Sequence, residues 1–191
     1  MKKIFTSMLV AGVSIAVLSG CGSNNAANEA ATTAPAATTA PAATTEPATD
    51  AVTTASIVDE AAAFTNAVSA DGKWIIAILK DVTVDQDVVV AGEFHDKGAA
   101  DGDIYRKLAL YAQDADHKIT ASYILTAPKV TVQSENFKVQ GGTIKGDVYV
   151  EAKGFTLDKT ATVDGNLYFK SEDLKTSAVL EGKVTGATEI K

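Results

Sequence analysis

The spacing of hydrophobic residues changes from segment to segment along this chain. Ile4, Phe5, Met8, Leu9, Val10 and Ile15 to Leu18 form a short apolar stretch broken by small residues. From Gly22 to about Ala55 large aliphatic side chains almost vanish. Ile57, Ala61, Phe64 and Val68 then fall on one face at helical spacing. Ser56, with Asp59 three residues on, reads as a capping box, and Asp71-Gly72 as the stop, which predicts one short amphipathic helix. Beyond Gly72 the runs are short and β-branched: Trp74 to Leu79, Val82 to Val84 and Val88 to Val90. Lys107 to Ala112, Ile119 to Leu125, Val130 to Val132 and Phe137 to Val139 follow. These have the composition of strands, and no helical period is visible between 140 and 191.

The final fifty residues repeat. Ile144-Lys-Gly146-Asp-Val148-Tyr-Val150 aligns with Val163-Asp-Gly165-Asn-Leu167-Tyr-Phe169, and then with Leu180-Glu-Gly182-Lys-Val184-Thr-Gly186. The glycines are 19 and 17 residues apart. Apolar residues or Gly hold the odd positions of each heptapeptide, and polar residues or Tyr the even ones, so the two sets face opposite ways on a strand. A repeat this short cannot bury its own apolar face; stacked copies can. The expectation is an all-β domain over 56–191, a single-stranded parallel β-helix, or β-solenoid. The helix at 57–68 would cap its first coil, and Gly146, Gly165 and Gly182 would stand at a crowded corner. In that alignment Val148, Leu167 and Val184 share an interior, Tyr149 stacks under Tyr168, Lys145 under Asp164 and Glu151 under Lys170. Asp164 would lie against Glu181.

The start of the chain carries an address. Lys2 and Lys3 precede the apolar stretch, which is shorter than the about 20 residues a bilayer-spanning helix needs. It ends in Leu18-Ser19-Gly20-Cys21, with the single cysteine of the chain. This string resembles the lipobox of bacterial lipoproteins. The resemblance implies a signal peptide over 1–20, cleavage before Cys21, and fatty acids such as palmitate on that residue. A second acyl chain turns marginal membrane binding into stable anchoring. The tract over 21–55 repeats Thr-Thr-Ala-Pro-Ala-Ala and cannot offset the entropy of ordering. It is expected to be a disordered tether with a reach on the order of 100 Å when extended. Loss of Lys2 and Lys3 would take the formal charge from −7 to −9. That balance argues against nucleic-acid partners.

A starting helix followed by strand runs and rungs of seventeen to nineteen residues resembles the right-handed parallel β-helix of pectate-lyase-like proteins, over 74–191. The Val-x-Gly-x-Val-type rungs over 139–186 are similar to those of bactofilins, which form polymers. The first resemblance implies a polysaccharide lyase, in which acidic Ca²⁺ ligands work beside a basic residue that abstracts a proton. The second implies self-association through open coil ends.

Candidate chemistry is concentrated in the least regular segment, 95–118. Both histidines and the only arginine of the chain are there. Asp101 and Asp103, with Asp96 nearby, are candidate oxygen ligands for Ca²⁺, and the lyase resemblance casts Arg106 as the base. The stronger reading of Arg106 is an ion pair with a neighbouring carboxylate, and of the Asp-Gly pairs, turns. His95 and His117 lack a third ligand at zinc-site spacing. No catalytic set and no metal site is assigned, and no resident cofactor is expected. Tyr149 and Tyr168 are candidate contact residues for a glycan, if their rings form an outward aromatic strip. The expected function is non-enzymatic: a lipid-anchored module on the extracytoplasmic face of the cell membrane that contacts envelope glycan or protein. The alternatives are the lyase and a self-assembling surface filament.

Overall fold

A computed structural model describes residues 56–191; the signal-like segment, Cys21 and the Ala/Thr/Pro tract lie outside the described residues. The described chain is dominated by strands, with two short helices. In chain order it comprises β1 (Ser56–Ile57), α1 (Ala61–Val68), β2 (Ile75–Ala77), β3 (Val82–Thr83), β4 (Val88–Val90) and β5 (Arg106–Ala109). Next come β6 (Tyr111–Gln113), β7 (Ile119–Ser122), β8 (Ile124–Val132), β9 (Phe137–Gln140), β10 (Thr143–Val150) and β11 (Thr156–Leu157). The last elements are β12 (Thr162–Asp164), β13 (Leu167–Phe169), α2 (Glu172–Ser177), β14 (Val179–Leu180), β15 (Lys183–Val184) and β16 (Thr188–Ile190).

Two parallel sheets hold nearly all of these strands. One has the order β1-β2-β5-β9-β11-β14. The other joins β3 and β4 to β8, β8 to β10, β10 to β12 and β13, and these to β15 and β16. Both sheets add strands in chain order, and from β2 onward the chain alternates between them, apart from β6 and β7. Among the described residues, the one antiparallel pair of strands is the β6–β7 hairpin; an isolated antiparallel bridge joins His95 to Ile104.

The parallel register stacks like residues in columns. Ile76, Leu108, Val139 and Leu157 form one inward column. Val82, Leu125, Ile144, Val163 and Val184 form a second. A third is Val90, Val132, Val150, Phe169 and Ile190. All but the final members of the last two columns are buried. Each buried Val, Leu or Ile contributes about 1.5–3 kcal/mol relative to exposure.

The structure corrects the third repeat. Val184 pairs with Val163, not with Leu167, and Leu167 pairs with Thr188. The glycine that follows Gly146 and Gly165 is therefore Gly186, whose N–H donates to the Gly165 carbonyl at 2.9 Å. The slip is four residues. Alternation at period two assigns faces but cannot detect an even shift. In the true frame Asp164 meets Thr185, whose hydroxyl donates to it at 2.9 Å, so the expected repulsion with Glu181 does not arise. Gly146, at φ +141°, faces the β8 bulge formed by Ala127 and Pro128, and a Cβ there would collide with the Ala127 carbonyl.

The ends also differ from expectation. Phe64 and Val68 are buried as the helical spacing predicts, but the helix begins at Ala61. Ser56 and Ile57 instead pair with Ile76 and Ala77 as a strand. Asp59 accepts from the Leu79 N–H at 3.0 Å rather than closing a capping box. Between β13 and β14 the chain forms α2, which no sequence pattern predicts. Ser171 caps it by accepting from the Leu174 N–H, with Glu172 and Asp173 in its first turn. A helix of six residues is too short to show a period.

Candidate functional site

Arg106 opens β5 at an inward position and is fully buried, at 0 % exposure. Its expected carboxylate partner is absent from its contacts. Nε donates to the Lys73 carbonyl at 3.1 Å. Nη1 donates to the carbonyl of Ala91 and to Ser134 Oγ. Nη2 donates to the carbonyls of Ala67 and Ser69 at 2.8 and 3.0 Å. All five N–H donors are thus engaged. Ser134 in turn donates to the Gly92 carbonyl. The Phe94 ring covers the guanidinium at 4.0 Å. Burial pulls the Arg106 pKa down to about 10, which leaves it charged at neutral pH. The Ala67 and Ser69 carbonyls lie at the end of α1, where a cation complements the helix dipole. Arg106 is therefore an internal tie between α1, the turn before β2, the strand end at Ala91 and the turn after β8. It offers no free nitrogen to a ligand or a substrate proton.

The 95–104 excursion closes on itself. The Asp96 N–H donates to the Asp103 carbonyl, and the Tyr105 N–H to the Phe94 carbonyl. His95 Nδ1 lies 2.7 Å from the Gly102 carbonyl, and its Nε2 3.4 Å from Glu93. Asp101 and Asp103 are exposed. Among the described residues, no three His, Cys, Asp or Glu side chains gather to hold a metal ion. His117 sits at φ +60° in the β6–β7 hairpin loop, beside Gln113.

Tyr149 and Tyr168 do stack, in register on β10 and β13, with centroids 4.8 Å apart and planes at 44°. Cations close both ends of the pair. Lys129 lies 5.4 Å from the Tyr149 ring and Lys191 3.6 Å from the Tyr168 ring. Tyr168 is accordingly 7 % exposed, whereas Tyr149 is half-buried. A hydrogen bond with Tyr168 raises the Lys191 pKa. The neighbouring outward positions carry a polar ladder. Asn166 donates to Asp147 from its backbone and its side-chain nitrogen, both at 2.9 Å, and accepts from the Ala187 N–H.

A second cluster lies on the outer side of the six-stranded sheet. Lys107 and Lys138 are direct neighbours on β5 and β9. Lys107 Nζ donates to the Tyr111 hydroxyl at 2.8 Å. The Tyr111 ring occupies the space over Gly141, where φ is +69° and a Cβ would meet that ring. The Gly141 N–H donates to Thr160 Oγ1, Thr160 Oγ1 to Asp158 Oδ1 at 2.7 Å, and Lys138 Nζ to Asp158 Oδ2 at 2.8 Å. The circuit closes at the paired lysines. Burial of Asp158 opposes its ionisation, but Lys138 and the two Thr160 donors outweigh it and bring the pKa down to about 2. Burial, with Tyr111, Asp96 and Asp158 nearby, pushes Tyr105 up to about 12. Trp74 stands 6.1 Å from the Tyr105 ring. These residues come from four segments of the chain, around 74, 105–111, 138–141 and 158–160.

Comparison with family models, with curated proteins and with solved structures returned no match to this chain.

Proposed function

We propose that this protein is a lipid-anchored extracytoplasmic lipoprotein, held by acylated Cys21, whose 56–191 domain is a β-solenoid. The domain serves as a non-enzymatic module in contact with envelope glycan or protein. The observation that supports the architecture is the alternation of the chain, from β2 onward and apart from the β6–β7 hairpin, between two parallel sheets that grow in chain order. The lipobox-like string and the Ala/Thr/Pro tract support the anchor and tether. The cation-flanked Tyr149–Tyr168 column supports a contact surface. The lyase reading loses its base, because every Arg106 donor is engaged inside the fold.

Two measurements test the reading. Cells fed an alkyne-tagged fatty acid should label the full chain and leave Cys21→Ser unlabelled; an unlabelled wild-type chain overturns the anchor. Insoluble cell-wall glycan should sediment the full chain and retain less of Tyr149→Ala. Equal retention of the two removes this column as the contact surface.

Self-association is the second reading. Val179 and Ile190 are 48 and 45 % exposed on the last strands of the two sheets, an apolar edge of the kind that pairs with other chains. Sedimentation velocity on the full chain separates the two readings by particle size.

A further inference from the structure

The three inward columns differ at their two ends. Their first members, Ile76, Val82 and Val90, are buried, and Phe64 and Val68 of α1 pack into the same core. Arg106 holds α1 in place through the Ala67 and Ser69 carbonyls. The last members are Val184, Ile190 and Leu180, which pairs with Leu157 and extends the first column. Leu180 is 38 % exposed, Ile190 45 % exposed and Val184 half-buried. Among the described residues β14, β15 and β16 have a strand partner on one side, so the open backbone groups run along both sheets at once. Charge differs in the same sense. Residues 56–90 carry six carboxylates and two lysines, whereas 178–191 carry Glu181 and Glu189 against Lys183 and Lys191. A chain of formal charge −7 thus presents an edge without net charge, where two copies approach without repulsion.

We propose that Leu180, Val184 and Ile190 form the contact face for a second copy of this chain, and that the assembly closes at two. The proposal rests on the self-association reading and adds which faces meet and where growth stops. An extended peptide would satisfy the edge of one sheet only. A second copy brings two sheet edges and an apolar patch together. Two-fold symmetry reverses strand direction across the contact, so β16 meets its counterpart antiparallel. Centred on Ile190, that pairing sets Glu189 of each copy against Lys191 of the other, opposite charges directly across a strand pair. A head-to-tail contact, the kind that propagates into a filament, would have to seat this face on the edge where α1 already fills the core and carboxylates outnumber lysines. Growth therefore ends with the pair.

The full chain is extracted from membranes in detergent, and its mass, less that of the micelle, is followed by multi-angle light scattering across about a hundredfold range of concentration. The mass is expected to rise from one copy to two and no further. Ile190→Glu should weaken pairing more than about a hundredfold, by setting two carboxylates against each other. Ile190→Lys should do the same, and an equal mixture of the two variants should restore the two-copy mass, which a folding defect would not allow. Ile57→Glu, on β1 at the opposite edge, should match wild type. Amide exchange in β14, β15 and β16, fast in the single copy, should slow as the pair forms. A one-copy mass at every concentration overturns the proposal together with the self-association reading. Masses that climb past two leave that reading standing and overturn the closure. Pairing that survives Ile190→Glu, pairing lost in Ile57→Glu, or a charge-swapped mixture that stays single overturns the assigned face.

Discussion

Arg106 shows how a single side chain can invert its apparent meaning. An arginine among aspartates reads as a surface ion pair or a catalytic cation, yet this one is buried among carbonyls and spends every donor there. Arg106→Met should therefore lower unfolding stability by on the order of 4 kcal/mol, because it orphans several buried acceptors at once. Arg106→Lys should recover little of this, since a point-like ammonium cannot reproduce the planar fork. Urea unfolding measures both. Asp158 sets a pH dependence of known sign. Its folded pKa is depressed to about 2 from 3.8, so its contribution is complete above the unfolded value and is lost as pH falls through that window. Wild type should lose about 2 kcal/mol more than Asp158→Asn between neutral pH and about pH 2, measured by urea midpoints at each pH. Neither role was legible in the sequence, because the Arg106 carbonyls and the Lys138 partner of Asp158 come from far along the chain.

At the scale of elements, local pattern and register separated cleanly. β-Branched runs located most strands, and the period-two alternation of Ile144 to Val150 and Val163 to Phe169 assigned the buried face correctly. The same alternation could not place the third copy, since Leu180 to Gly186 keeps its parity after a four-residue slip. The two extra residues between Gly165 and Gly186, relative to the preceding spacing, coincide with the insertion of α2 before β14. Glycine is the marker that would have resolved it: Gly186, not Gly182, continues the column, and a Cβ on Gly186 would lie 2.6 Å from the Gly165 carbonyl oxygen. Gly146→Ala should accordingly cost more than about 3 kcal/mol, through a positive φ and a backbone collision in the middle of the stack. Gly186→Ala, between β15 and β16, should cost roughly half as much, because the terminal strands have freedom to shift. Thermal denaturation of the two variants ranks them. The helix boundary failed for a related reason. Ser56 and Ile57 have a strand partner in β2, and a tertiary pairing overrides a local capping pattern.

Over the described residues each parallel sheet grows by adding a strand to the one before, so stability should be graded from the central strands to the terminal ones. Hydrogen exchange is expected to be slowest in β5, β8, β9 and β10, which have parallel partners on both sides, and fastest in β14, β15 and β16, which have partners on one. Uniform protection across all strands would contradict this grading. The buried guanidinium gives the same gradient an independent reporter. An arginine-specific protease has one peptide bond to cut in the entire polypeptide, after residue 106, and the side chain it must grip is locked in the interior. Scission into two fragments then proceeds only from molecules whose strands around β5 have opened. The kinetics of that single cut convert an ordinary digestion gel into a clock for opening at the amino-terminal end.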